Sequence, residues 1–349
     1  MAFRRTFAVT GALALAAALA TSSYAQGSAQ QENQHGRTLR GDERREFEAL
    51  RSLVDEVAAG KQPAPADVQL NLQNHFLKGG ENVYIPYTLE ITGGQFTSYP
   101  VAMYVRVVRK NAAQRAAGAD AKPQADDAHT DVYFLDVYFL TEKDIVSSGE
   151  GAAVRRALLL PPGEYDFYIA MRERQPRGRK AASPKSVVHR EALSVPEMTK
   201  ELMTSTIILA KNLEPFPQKL TPQQQLEQPY TIAGYKIEPI YDAKFPKAGS
   251  LFFVFSVHNN GLAASGKPDL DVDYLFYRAA EKEPFSKLAT QAFNETTLPG
   301  QLDGYPKVFV GQGVPLTTFE PGDYRLEIKI TDKTKNQSIT RDVPFTVTP

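Results

Sequence analysis

The stretch "PPGEYDFYIAMRE", Pro161 to Glu173, and the stretch "EPGDYRLEIKITD", Glu320 to Asp332, carry one pattern twice: Pro-Gly-acid-Tyr, then alternating side chains. Pro presets one backbone angle and Gly accepts a positive one, so the dipeptide defines a tight turn. The alternation that follows puts Tyr165, Phe167, Ile169 and Met171 on one side of a strand, and Tyr324, Leu326, Ile328 and Ile330 on one side of its copy. A Tyr opening such a strand can bury its ring and return its hydroxyl to a nearby backbone group, the tyrosine corner of β-sandwiches. A period of two does not suit a helix, so both halves of the chain are committed to sheet.

The same period recurs in "DVQLNLQNHF", "NVYIPYTLEIT", "VAMYVRVVRK", "DVYFLDVYFLTE", "AVRRALLLP" and "SVVHREALSV", each bounded by Gly, Pro, Ser or charged turns. Seven or so short strands with this punctuation fit a sandwich. A second landmark repeats with the first. "FLKGGENVYIPYTLEI" from Phe76 is echoed by "FPKAGSLFFVFSVHN" from Phe245, with Gly80 and Gly249 offset by 169 residues, while the two Pro-Gly pairs are offset by 159. Landmarks in the same order with a modest change of spacing argue for duplicated domains with different loops. The expected fold class is therefore all-β, two tandem immunoglobulin-like β-sandwich domains preceded by one short amphipathic helix. The first sandwich is expected over 66–212, with Ser205 to Lys211 as its last strand or tether, and the second over 230–349. Between them, 213–229 reads as a Pro- and Gln-rich linker kept extended by Pro215, Pro217, Pro222 and Pro229.

The chain opens with Arg4 and Arg5, an Ala- and Leu-rich run, and the small-residue site Ser23-Tyr24-Ala25. Basic, apolar and small residues in that order predict a signal peptide over 1–25, cut after Ala25, with export to the periplasm or the cell exterior. "RRTF" partly matches a twin-arginine signal, and the general secretory route is the simpler expectation for a cofactor-free β protein. No later stretch is long and apolar enough to span a bilayer. Cleavage leaves 324 residues (26–349), enough for two cores without disulfides, and no Cys exists to form any. A secreted chain without disulfides points to a bacterial source. The 40 basic and 40 acidic residues, less Arg4 and Arg5, leave a net charge near −2, which gives no electrostatic reason for binding nucleic acid.

Residues 26–41 are polar and patternless, a disordered lead-in by composition. A helix is expected over 42–60: Asp42 as N-cap, Phe47, Leu50, Val54 and Val57 on one face, Gly60 to end it, Pro63 and Pro65 beyond. Its apolar stripe is expected to dock on the first sandwich.

"FEPGDYRLEIKITDKTKNQSITRDVPFTV", together with "TSTIILAKNLEP" and "LDVDYLFYR", resembles the closing strands of immunoglobulin-like or fibronectin-III-like modules of secreted bacterial proteins. It is loosely similar to the β-sandwich regions of acidobacterial proteins named for a GWxTD motif. The chain has no Trp, hence no GWxTD string, and no Cys pair. The resemblance implies architecture and secretion, and carries no catalytic residue.

Chemistry is sparse. His35, His75, His129, His189 and His258 never fall at metal-ligand spacing. Thiol nucleophiles are excluded, and no Gly-x-Ser-x-Gly elbow occurs. "GEGAAV" and "GQGVPL" lack the third Gly of a dinucleotide fingerprint. "DLDVDY" spaces Asp269, Asp271 and Asp273 as in a calcium loop, but Tyr274 stands where the Gly is needed and Ala280 where the Glu is needed. On a strand those carboxylates share a solvated face. No cofactor is expected.

What differs between the copies is loops, where such scaffolds put function. After the first motif comes "RERQPRGRKAASPK", with Arg172, Arg174, Arg177, Arg179, Lys180 and Lys185, against the short "DKTKNQ" of the second. A second long loop, "KNAAQRAAGADAKPQADDAHTD", is Ala-rich and polar. The basic residues are the partner-binding candidates, for a protein or an anionic envelope polymer. The function expected is a non-enzymatic exported binding or structural module of the envelope or extracellular space. The alternative is a carbohydrate-binding module, or an enzyme with a loop-assembled site.

Overall fold

The computed structural model describes residues 39, 41–63, 66–110, 132–148, 151–174, 184–279, 281–298 and 308–349. The expected signal peptide, almost all of the lead-in and all but the first residue of the Ala-rich loop lie outside them.

The protein is all-β: two sandwiches in tandem behind one amphipathic helix. In the first, β1 (Gln69–Asn74), β3 (Asn82–Thr92), β7 (Gly151–Leu160) and β6 (Val146–Ser148) lie side by side, with β2 (Leu77–Gly79) folded onto β3. The facing sheet runs β5 (Val132–Leu140), β4 (Val101–Arg109), β8 (Gly163–Arg172), β9 (Ser186–Val195). Alternation does the sorting. Val83, Ile85, Tyr87 and Leu89 of β3 meet Met103, Val105 and Val107 of β4 and Tyr165, Phe167, Ile169 and Met171 of β8 in one buried core.

The second sandwich repeats the plan. β11 (Ile208–Pro215), β15 (Ser250–His258) and β19 (Val308–Pro315) stand as β1, β3 and β7 do, extended at one end by β10 (Met203–Thr204) and beyond β11 by β13 (Tyr235–Pro239) and β12 (Thr231–Ile232). β16 (Leu270–Arg278), β20 (Gly322–Asp332) and β21 (Gln337–Thr348) stand as β4, β8 and β9 do, with β17 (Ser286–Lys287) and β18 (Gln291–Phe293) on β16 and β14 (Lys244–Pro246) parallel to β21. Both Tyr corners form. Tyr165 Oη donates to the Pro161 carbonyl at 2.9 Å and Tyr324 Oη to the Glu320 carbonyl at 2.7 Å, each four residues upstream, with both rings buried. Gly163 and Gly322 adopt φ of 153° and 151°, angles that a Cβ disfavours. The motif is thus a turn and ring anchor, one per sandwich.

Three expectations need correction. Ser205 to Lys211 does not close the first sandwich: Ile208 to Ala210 pair with Val254 to Phe252 of β15, making β11 the opening strand of the second. Residues 213–229 are not simply extended. Leu213 to Pro215 continue β11, and Pro222–Glu227 form a short helix, α2, whose Thr221 hydroxyl accepts from Gln224 N while the Gln224 side chain accepts from Thr221 N. That capping box, with Pro222 in the first turn, favours a helix over the extended chain that proline content alone suggests. Finally, α1 spans Asp42–Ala58 and its N-cap is Gly41, so Asp42 sits inside the first turn. Its end is as expected, with Gly60 at φ 85°.

Candidate functional site

The base of the basic loop is built by β8, β9 and α1. The phase that sends Tyr165, Phe167 and Ile169 into the core sends Tyr168, Ala170 and Arg172 to the outer face, beside Ala102, Tyr104 and Arg106 of β4. α1 covers this face. Phe47, Leu50 and Val54 pack on Ala102, Tyr104, Val137, Tyr168 and Ala170, with the Phe47 ring edge-on to Tyr104 at 5.6 Å. Burying those three side chains contributes roughly 2 kcal/mol each.

Charge completes the seat. Arg106, its side chain 4% exposed, donates to Asp55 Oδ1 at 2.6 Å and lies over the Tyr168 ring at 5.4 Å. Arg172 Nε stands 2.8 Å from Glu46 Oε2, and Arg174 Nη2 stands 3.5 Å from Asp42 Oδ2. Two of the six candidate cations therefore hold α1. The phase of Arg172 with Tyr168 and Ala170 was legible in the sequence; the acids that meet the two cations were not.

Lys185 has a different task. Its Nζ donates to the Gln95 carbonyl at 2.9 Å, and its backbone joins Glu173 across the neck of the loop, Glu173 N donating to Lys185 O at 2.9 Å. The Glu173 carboxylate accepts from Thr97 N, Thr97 Oγ1 and Lys185 N at 2.6, 3.1 and 3.2 Å. Burial opposes its charge, but these bonds and the Lys185 ammonium outweigh it and hold Glu173 below the usual carboxylate range. Arg177, Arg179 and Lys180 lie outside the described residues.

A second polar site, which sequence reasoning missed, joins the sandwiches. His75, between β1 and β2, is 6% exposed; its Nδ1 lies 3.0 Å from Tyr230 Oη, and its ring stacks on Tyr241 at 5.4 Å. The Tyr230 and Tyr241 hydroxyls meet at 2.6 Å, and Tyr241 Oη donates to Thr88 Oγ1 of β3 at 2.7 Å. Tyr84 Oη reaches the carbonyls of Gln225 and Pro229, both at 3.0 Å. Around this lies an apolar seam of Leu77 from the first sandwich with Ile208, Ala210, Ile232, Ile237 and Val254 from the second. Burial lowers the His75 pKa from 6.5 to about 4 and pushes the Tyr84, Tyr230 and Tyr241 phenols up. At neutral pH the site is uncharged. It has the chemistry of a joint, holding two bodies together through satisfied hydrogen bonds. No local pattern connects His75 with a Tyr 155 residues away.

The Asp triplet lies along β16 and just before it. Asp271 Oδ1 is 2.8 Å and Asp269 Oδ1 3.7 Å from Lys333 Nζ, while Asp273 accepts from Thr290 Oγ1 at 2.6 Å. The bond from Asp271 first, then both carboxylate charges, raise the Lys333 pKa. Among the described residues no cluster of three or more His, Cys, Asp or Glu side chains could hold a metal ion. His258 bonds Ser256 Oγ at 2.7 Å and His189 lies 3.2 Å from Glu191, both within their own strands.

No protein-family model and no curated protein matches the chain. Among solved structures, red sea bream transglutaminase is 10% identical to it, with a TM-score of 0.21, over 84% of this chain and 33% of that one. The chain spans about a third of that structure's length, and a likeness of this size carries no argument.

Proposed function

We propose that the protein is exported and acts without catalysis, as a binding or structural module of the bacterial envelope or extracellular space. The observation that carries this reading is mechanical: α1 and the Glu173 clamp brace the neck of the basic loop, and the seam around Tyr230 fuses the sandwich bearing it to a second. A braced neck has less conformational entropy to lose when a partner engages it. The partner class that fits Arg177, Arg179 and Lys180 is an anionic polymer or an acidic protein surface. Export is tested by fractionating cells and sequencing the mature N-terminus, expected at Gln26. Binding is tested on a sulfated-polysaccharide resin with the wild type and with Arg177, Arg179 and Lys180 all replaced by Ser. The wild type should be retained and released by salt. Equal elution of the two proteins, at equal melting temperature, would remove the loop from the reading.

A further inference from the structure

α1 is separable from the body it covers. The core between the two sheets of the first sandwich is closed without it, and Phe47, Leu50 and Val54 belong to a distinct cluster on the outer face. The residues that link it to β1, 59–63 and 66–67, are exposed. Recognition rests on a charge pattern as well as grease. Asp42, Glu46 and Asp55 on the helix meet Arg174 just past β8, Arg172 on β8 and Arg106 on β4, and the Glu46 and Arg106 side chains are 8% and 4% exposed.

We propose that this face is a receptor for an acidic amphipathic helix and that its occupant in trans is α1 of a second copy, exchanged reciprocally to form a two-fold dimer. The charge order on the sheet complements α1 itself, so exchange recreates every contact of the single chain and gives up only the freedom of two bodies. Residues 59–67 can reach about 30 Å when extended, enough to leave one sheet for a neighbour. In cis the helix enjoys an effective concentration of about a millimolar. The wild type is therefore monomeric at micromolar concentration and exchanges where it is crowded or its own docking is weakened.

Two full-length variants test this. Glu46→Arg sets a cation against its own Arg172, and Arg172→Glu sets a carboxylate against its own Glu46, each weakening docking in cis on the order of a hundredfold. In a reciprocal exchange between the two variants both seats are matched: the E46R helix lies on the R172E sheet with the charges reversed, and in the other seat the native Glu46 meets the native Arg172. Mixed at micromolar concentration, the variants should form a heterodimer by light scattering at least about tenfold more abundant than either homodimer. The doubled E46R/R172E chain, matched in cis, should stay monomeric. A mixture of two folded monomers would overturn the proposal. If a single variant is insoluble alone, co-expression decides: a soluble one-to-one complex supports exchange, and persistent insolubility beside a soluble doubled chain overturns it.

Discussion

Acidifying the protein from pH 7 to 4.5 should loosen the joint through one side chain, His75. Its imidazole is buried beside two Tyr rings with Nδ1 on the Tyr230 hydroxyl, and burial lowers its pKa from 6.5 to about 4. A base with a lowered pKa in the folded state binds its proton more readily when unfolded. The stability this represents is complete above about pH 6.5, falls as the pH drops toward 4, and does not fall further below that. The gap is roughly 2.5 units, or about 3 kcal/mol at 1.36 kcal/mol per unit, of which about 2.5 kcal/mol is spent by pH 4.5. Carboxylates titrate in the same range, so the informative quantity is the difference from His75→Gln, which shares every other group. Urea unfolding followed by circular dichroism at pH 7 and 4.5 measures it. His75→Gln should be the less stable protein at pH 7, by roughly 1 kcal/mol for an imperfect replacement. That deficit should shrink or reverse by about 2 to 3 kcal/mol at pH 4.5. Wild type and variant running parallel across the range would refute the claim that the His75 site excludes the charged form.

The Tyr corners should respond as equals. Tyr165→Phe and Tyr324→Phe each remove one hydroxyl bond to a backbone carbonyl, costing about 1 kcal/mol, and their effects should add because the rings lie in different sandwiches. Thermal melts of the single and double variants check this, and an effect in only one sandwich would break the equivalence. Glu173→Gln should cost about 1 to 2 kcal/mol at neutral pH through weaker bonds to Thr97 and Lys185. Because the Glu173 pKa is held down, that stability is present above the ordinary carboxylate pKa and is lost as the pH falls through the lowered one, where the variant should converge on the wild type.

The strands and the count of domains were legible because they are written locally. Alternation assigns inward residues without knowledge of the partner sheet, and Pro-Gly-acid-Tyr encodes its own turn and its own hydrogen bond four residues back. The helix was legible for the same reason: 3.6 residues per turn aligned Phe47, Leu50 and Val54 before anything showed what they touch. Even the outward phase of Arg172 could be read from Tyr168 and Ala170.

Membership was not legible. The apolar run that opens β11 reads the same whether the strand closes one sandwich or opens the next, and only its register with Phe252 to Val254 decides. Proline content pointed to an extended linker where a capping box at Thr221 begins a helix. The joint depends on His75, Thr88, Tyr230 and Tyr241, brought together from segments more than 140 residues apart. At the neck of the loop, a sequence shows charge without its neighbours. Tertiary structure supplied Glu46 for Arg172, Asp42 for Arg174 and a carbonyl for Lys185. Sequence alone thus determined the elements and their repetition, which arise from contacts a few residues apart. Which sheet each element joins, and which charges are already neutralised, arise from contacts between distant segments, and only the fold decided those.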